Sequence, residues 1–140
     1  MTRLWRLIRD RSGVSAIEFA LAFPIFIQMI WMIFQAGFVF QAVSGMQHAL
    51  GEGARYATIY PRPTDAAIRQ RMLDKVYGTG NGVGTFTVAT PTAGPSESNG
   101  TTTAATSLIL SVSYSQATSL LIVPGPTISL TRTKQVWIAD

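Results

Sequence analysis

The chain has 140 residues, of which 47% are apolar and 13% charged, with no cysteine and a net charge of +4. That length accommodates one small domain plus one special segment, and the charge content, well under the roughly 25% of an ordinary soluble domain, marks part of the chain as avoiding water. The absence of cysteine excludes a disulfide framework, a thiolate metal site and a cysteine nucleophile. The basicity is local, since Arg3, Arg6, Arg9 and Arg11 against Asp10 give residues 1–13 a net +3 and leave +1 for the rest. Nucleic-acid recognition needs basic residues spread over a folded face, so no nucleic-acid partner is expected.

After the basic leader, residues 1–13, an apolar run extends from Val14 to about Val43, interrupted by one charge, Glu18, and by Ser15, Gln28, Gln35 and Gln41. As a helix, about 30 residues would span about 45 Å, against a hydrocarbon core of about 30 Å, so the run can cross a bilayer and protrude. It is too long for the apolar region of a cleavable secretory signal, and no clean Ala-x-Ala cleavage site follows it. Arginines on its N-terminal side predict a cytoplasmic N-terminus and a periplasmic remainder. From Gln35 to Ala57 the pattern turns amphipathic, with Val39, Val43, Met46, Leu50, Ala54 and Ala57 on one helical face. Gly45, Gly51 and Gly53 either loosen this helix or let another backbone approach it closely. One continuous helix over 14–57 is the expectation, lipid-embedded first and packed on a domain second, with Pro24 a candidate kink where one helix hydrogen bond is lost.

Tyr60-Pro61-Arg62-Pro63 ends that helix. A second helix is predicted from Asp65 to Tyr77, with Thr64 as N-cap, Gly78 as the C-terminal stop, and Ile68, Met72 and Val76 as its apolar face. The remainder reads as β structure. Phe86 and Val88 alternate with threonines, and Leu108, Leu110, Val112 and Tyr114 alternate with serines. Between them Thr90–Thr106, rich in Thr, Pro, Gly and Ser, reads as a long mobile loop. A last strand is expected over Ile128–Ile138, where Arg132 and Lys134 share the parity of Ile128 and Leu130. Either a bulge shifts the phase there, or charge guards an edge strand. The fold class is therefore α+β, with residues 58–140 forming a small antiparallel sheet and a second helix beyond a transmembrane helix.

An enzyme finds little support. His48 is the single histidine and has no metal-ligand spacing or nucleophile partner. The glycine-rich stretch Gly78–Gly84 lacks the leading strand and the Gly-Lys-Ser/Thr of a phosphate loop. No catalytic residue, metal or cofactor is expected.

The informative stretch is Arg9-Asp10-Arg11-Ser12-Gly13-Val14-Ser15-Ala16-Ile17-Glu18-Phe19, a basic leader ending in glycine followed at once by an apolar helix with a carboxylate at its fifth position. A charge inside an apolar helix is costly and is usually paired and functional. This stretch resembles the processing site of type IV prepilins. The resemblance implies cleavage by a prepilin peptidase between Gly13 and Val14, and subunit assembly through Glu18, paired with the new amine of a neighbour. Glu18-Phe19-Ala20-Leu21 followed by Pro24, together with Gly51-Glu52-Gly53-Ala54-Arg55-Tyr56-Ala57 downstream, is similar to the TadE-like family over residues 11–57. Arg55 in the second block pairs with Glu52, caps the domain interface or is simply solvated. The resemblance implies a minor pilin, pseudopilin or assembly subunit of a Tad-type (tight adherence) pilus, with Phe19 beside Glu18 in the assembly motif. Other pilin subunits, inner-membrane assembly proteins, the peptidase and the lipid bilayer are then the expected partners. The alternative is an uncleaved single-pass inner-membrane scaffold of the same machinery.

Overall fold

The computed structural model describes residues 12–78, 83–96, 106–120 and 123–138. Helix α1 runs unbroken over Ser12–Ala57 and passes through Pro24. At about 1.5 Å per residue it is about 69 Å long. Its two halves have different surroundings. From Val14 to Phe40 apolar side chains point outward, among them Phe19, Leu21, Ile25 and Phe40 at 67–74% exposure. From Ala42 onward Met46, Ala49, Leu50, Ala54 and Ala57 are buried.

The chain then turns at Thr58–Pro63, which contains a cis Tyr60–Pro61 bond, and enters helix α2, Asp65–Lys75. Thr64 caps it as expected: its hydroxyl accepts the Ala67 N–H at 3.2 Å, which satisfies one of the free first-turn donors. Its other end departs from expectation. The helix stops at Lys75, and Val76 is already extended while its N–H still reaches the Met72 carbonyl at 3.0 Å. Gly78, with φ +111°, lies three residues past the helix and is not its stop. Ile68 and Met72 are fully buried, and Val76 is half-buried.

Among the described residues four strands form one antiparallel sheet: β1 (Thr85–Val88), β2 (Thr92–Ala93), β3 (Thr106–Leu120) and β4 (Val123–Ile138). Strand β3 is central. β4 pairs along one side of it, and β1 and β2 follow one another along the other, with Val88 opposite Val112 and Thr92 opposite Ile109. The Ala89 N–H to Ser111 and the Gly94 N–H to Ser107 keep this second side hydrogen-bonded between and beyond the two short strands. The expected loop from Thr90 to Thr106 therefore opens as sheet, and residues 97–105 lie outside the described residues.

The alternation read for β3 is present: Leu108, Leu110, Val112 and Tyr114 are buried on the face toward the helices. Gln116 continues this face and is also buried. β4 starts at Val123, five residues earlier than expected, and its register with β3 shifts only between Ala117 and Ser119. No bulge separates Leu130 from Arg132, which sit opposite Tyr114 and Val112. Of the two alternatives the charged edge strand is the one observed, with Arg132 and Lys134 exposed.

The distal half of α1, α2 and the inner sheet face enclose one core, centred on Met46, Ile68, Met72, Leu110, Val112 and Tyr114. Each fully buried large side chain contributes about 1.5–3 kcal/mol relative to exposure. Two glycines set how closely the layers meet. A Cβ on Gly45 would overlap the backbone carbonyl of Tyr77, and one on Gly53 would overlap the Met72 side chain. Gly51 faces open space. Of the two readings of these glycines, close approach holds for Gly45 and Gly53.

Candidate functional site

Of the expected processing site, the leader up to Arg11 lies outside the described residues. Gly13 and Val14 form the first turn of α1, with open space around the Gly13 Cα and Val14 half exposed. Glu18 follows one turn later and is exposed. Among the described residues it has no ion-pair partner, unlike Glu52 and Asp65. Phe19 is exposed and its ring meets that of Phe23 at 5.5 Å between centroids. Pro24 removes one N–H from the ladder, yet helical geometry continues past it to Ala57.

This end of the helix is apolar all round, and such a helix belongs either in a protein core or in lipid. Phe23 and Trp31 stay exposed and Ile27 is only half-buried, so the described residues supply no core for it. The helix is long and apolar enough to cross a membrane.

The second block, around Gly51–Ala57, serves the α1–α2 packing. Gly53 admits Met72, Ala54 and Ala57 are buried, and Tyr56 packs at the rim of the core. Glu52 points toward α2, where Arg71 meets it at 3.2 Å; Arg55 approaches it only to 3.9 Å. The cross-helix partner is therefore Arg71, which local spacing in the sequence did not reveal. His48 donates from Nδ1 to the Lys75 carbonyl at 3.1 Å and stacks obliquely on Tyr77, so its role is to tie α1 to the end of α2. Among the described residues no cluster of His, Asp or Glu could hold a metal ion.

A further polar group went unread in the sequence. Trp31 Nε1 donates to the Ser119 carbonyl at 3.0 Å and to its hydroxyl at 3.2 Å. Gln35 Nε2 donates to the same carbonyl at 2.7 Å, and Gln35 Oε1 accepts the Ser119 N–H at 3.0 Å. The available signal was a tryptophan and a glutamine one turn apart inside an apolar run. Deeper in the sheet, the Tyr114 hydroxyl lies 3.0 Å from the Val83 carbonyl and 2.7 Å from Gln116 Oε1, so its proton serves one of the two at a time. Burial raises the Tyr114 hydroxyl above the usual tyrosine value.

The geometry thus concentrates unmet requirements at one end of the molecule: an apolar helix surface without a core, and a carboxylate within it. No curated protein and no solved structure matches the chain. A family model does match, that of TadE-like protein, over residues 13–55. The match begins at Gly13 and ends at Arg55, so it covers both the exposed helix and the glycine-bearing segment packed on α2. Over residues 13–55, about a third of the chain, the protein is therefore similar to the TadE-like family.

Proposed function

We propose that this chain is a minor pilin or pseudopilin of a Tad-type pilus, anchored in the bacterial inner membrane by the first part of α1. A prepilin peptidase cuts it after Gly13. The N-terminus lies in the cytoplasm, on the side of the four leader arginines, and the α+β domain stands in the periplasm. One observation carries the reading: Glu18 sits exposed, without an ion-pair partner among the described residues, on a helix whose surroundings are otherwise apolar. In lipid or in a helical bundle such a charge needs a counter-charge, and an uncompensated one costs several kcal/mol. Cleavage after Gly13 creates a cation, the α-amine of Val14. Between neighbouring subunits that amine and Glu18 neutralise each other and select one helix register.

The test combines mass and assembly. Co-expression with the cognate peptidase shortens the chain by Met1–Gly13, and Gly13→Val blocks the cut. Glu18→Ala and Glu18→Gln leave cleavage and membrane level intact but lower the count of surface pili, and Glu18→Asp restores part of it. An unchanged mass with active peptidase, together with normal piliation of both Glu18 variants, would replace this reading with the uncleaved scaffold.

A further inference from the structure

Strand β3 runs down α1 toward the exposed apolar segment. At its start, Ile138 and Trp137 of the paired β4 line a cavity with Ala57 at the helix end. At its finish, Ser119 is bound by Trp31 and Gln35. The β3–β4 hairpin therefore comes down beside the apolar half of α1, next to Val83 and Gly84, and its end carries Leu120 opposite Val123, at 42% and 57% exposure.

The depth of this tip follows from helix geometry. If the hydrocarbon begins near Val14, about 20 residues at 1.5 Å each cross its roughly 30 Å thickness, which places the far boundary near Ile33. Trp31 and Gln35 lie about 26 and 32 Å along the axis from Val14, on either side of that boundary, where tryptophan rings are favoured. Ser119 is held at this level, and Leu120 is the next residue along β3.

The backbone near the tip is also prepared for poor hydration. In lipid an unpaired N–H or C=O is costly. Here the Ser119 N–H and carbonyl are both taken by Gln35. The Pro126 carbonyl accepts the Thr118 hydroxyl at 2.6 Å, and Pro124 and Pro126 remove two donors from the edge strand. An apolar cleft of about 300 Å³, lined by Met32, Ala36, Leu120 and Ile128 among others, opens between hairpin and helix at the same level.

We propose that the β3–β4 hairpin tip is a second membrane contact, with Leu120 and Val123 entering the headgroup–acyl boundary of the leaflet at the Trp31 end of α1. The inference rests on α1 spanning the bilayer. With two contacts the domain is held in one rotational setting about the helix axis, and a subunit leaving the bilayer must release the tip as well as the helix.

The chain has no cysteine, so single-cysteine variants report cleanly. Full-length Leu120→Cys, Val123→Cys, Ile25→Cys and Thr133→Cys are labelled with an environment-sensitive fluorophore. They are reconstituted at low protein-to-lipid ratio in phosphatidylcholine vesicles carrying brominated acyl chains of defined depth. The expected result is quenching at 120 and 123 by shallow bromines, quenching at 25 by deep bromines, and none at the exposed sheet position 133. Quenching at 25 with water-like, unquenched emission at 120 and 123 overturns the tip contact and leaves the spanning helix standing. No quenching at 25 overturns the spanning helix itself. Equal quenching at 123 and 133 means the domain lies flat and overturns the tip contact. Shielding at 123 that appears only at high protein-to-lipid ratio assigns the tip to a second copy and overturns it as well.

Discussion

Three glycines in one helix give a test in which the backbone term is common and only the neighbours differ. Replacing a helix-interior glycine by alanine gains about 1 kcal/mol of intrinsic propensity at each of positions 45, 51 and 53. At Gly51 nothing lies within 4 Å of the added methyl, so Gly51→Ala keeps that gain. At Gly45 the methyl meets Tyr77 backbone, with the carbonyl carbon at 2.8 Å and the nitrogen at 3.0 Å. The segment after α2 must move away, and the overpacking cost of about 1–3 kcal/mol exceeds the propensity gain. At Gly53 the obstacle is the flexible Met72 side chain, with its sulfur at 2.8 Å, but Met72 is fully buried and has little room to turn. Gly53→Ala should fall between the other two, near neutral or destabilising by about 1 kcal/mol. Thermal unfolding of the full chain in detergent micelles, followed by circular dichroism, reads these differences at about 4–8 °C per kcal/mol for a domain of this size. The expected order of midpoints is Gly51→Ala above the parent, Gly53→Ala near or just below it, and Gly45→Ala about 5–15 °C below it. Equal stabilisation by Gly45→Ala and Gly51→Ala would refute the close packing of α1 against the segment at Tyr77.

Tyr114→Phe removes the hydroxyl shared by the Val83 carbonyl and Gln116 and leaves the buried Gln116 side chain poorly satisfied; denaturant unfolding should show a loss of about 1–3 kcal/mol at neutral pH. Because burial raises the Tyr114 hydroxyl above its ordinary value, its contribution is complete below the ordinary tyrosine value and is lost as pH rises through the raised one. The parent should therefore lose stability in strong alkali by an increment that Tyr114→Phe lacks; the same alkaline slope in both would place the loss elsewhere. Thr64→Ala removes the cap on Ala67 N–H and should cost about 1 kcal/mol, whereas Thr64→Ser should leave the midpoint nearly unchanged.

Local pattern in the sequence determined a large share of this protein. An apolar helix segment long enough to cross a bilayer, the cap at Thr64, and the one-sided strand through Leu108–Tyr114 are all short-range signals. Each reports which way a side chain faces within its own element, and such signals survive folding because backbone geometry fixes the period. What those side chains face is a different matter. Thr92–Ala93 became a strand because Ile109 and Leu108 of β3 offer it hydrogen bonds, although its composition reads as loop. Arg132 and Lys134 stay in phase with the core residues because β4 pairs β3 alone among the described strands, leaving an edge where charge is tolerated. Glu52 meets Arg71, 19 positions away, more closely than it meets Arg55 in its own helix, and only the docking of α2 brought that guanidinium within reach. The meeting of Trp31 and Gln35 with Ser119, across 88 and 84 positions, leaves no periodic trace in the chain. It exists because the hairpin folds back along α1, and that placement is decided by the shared core of helices and sheet.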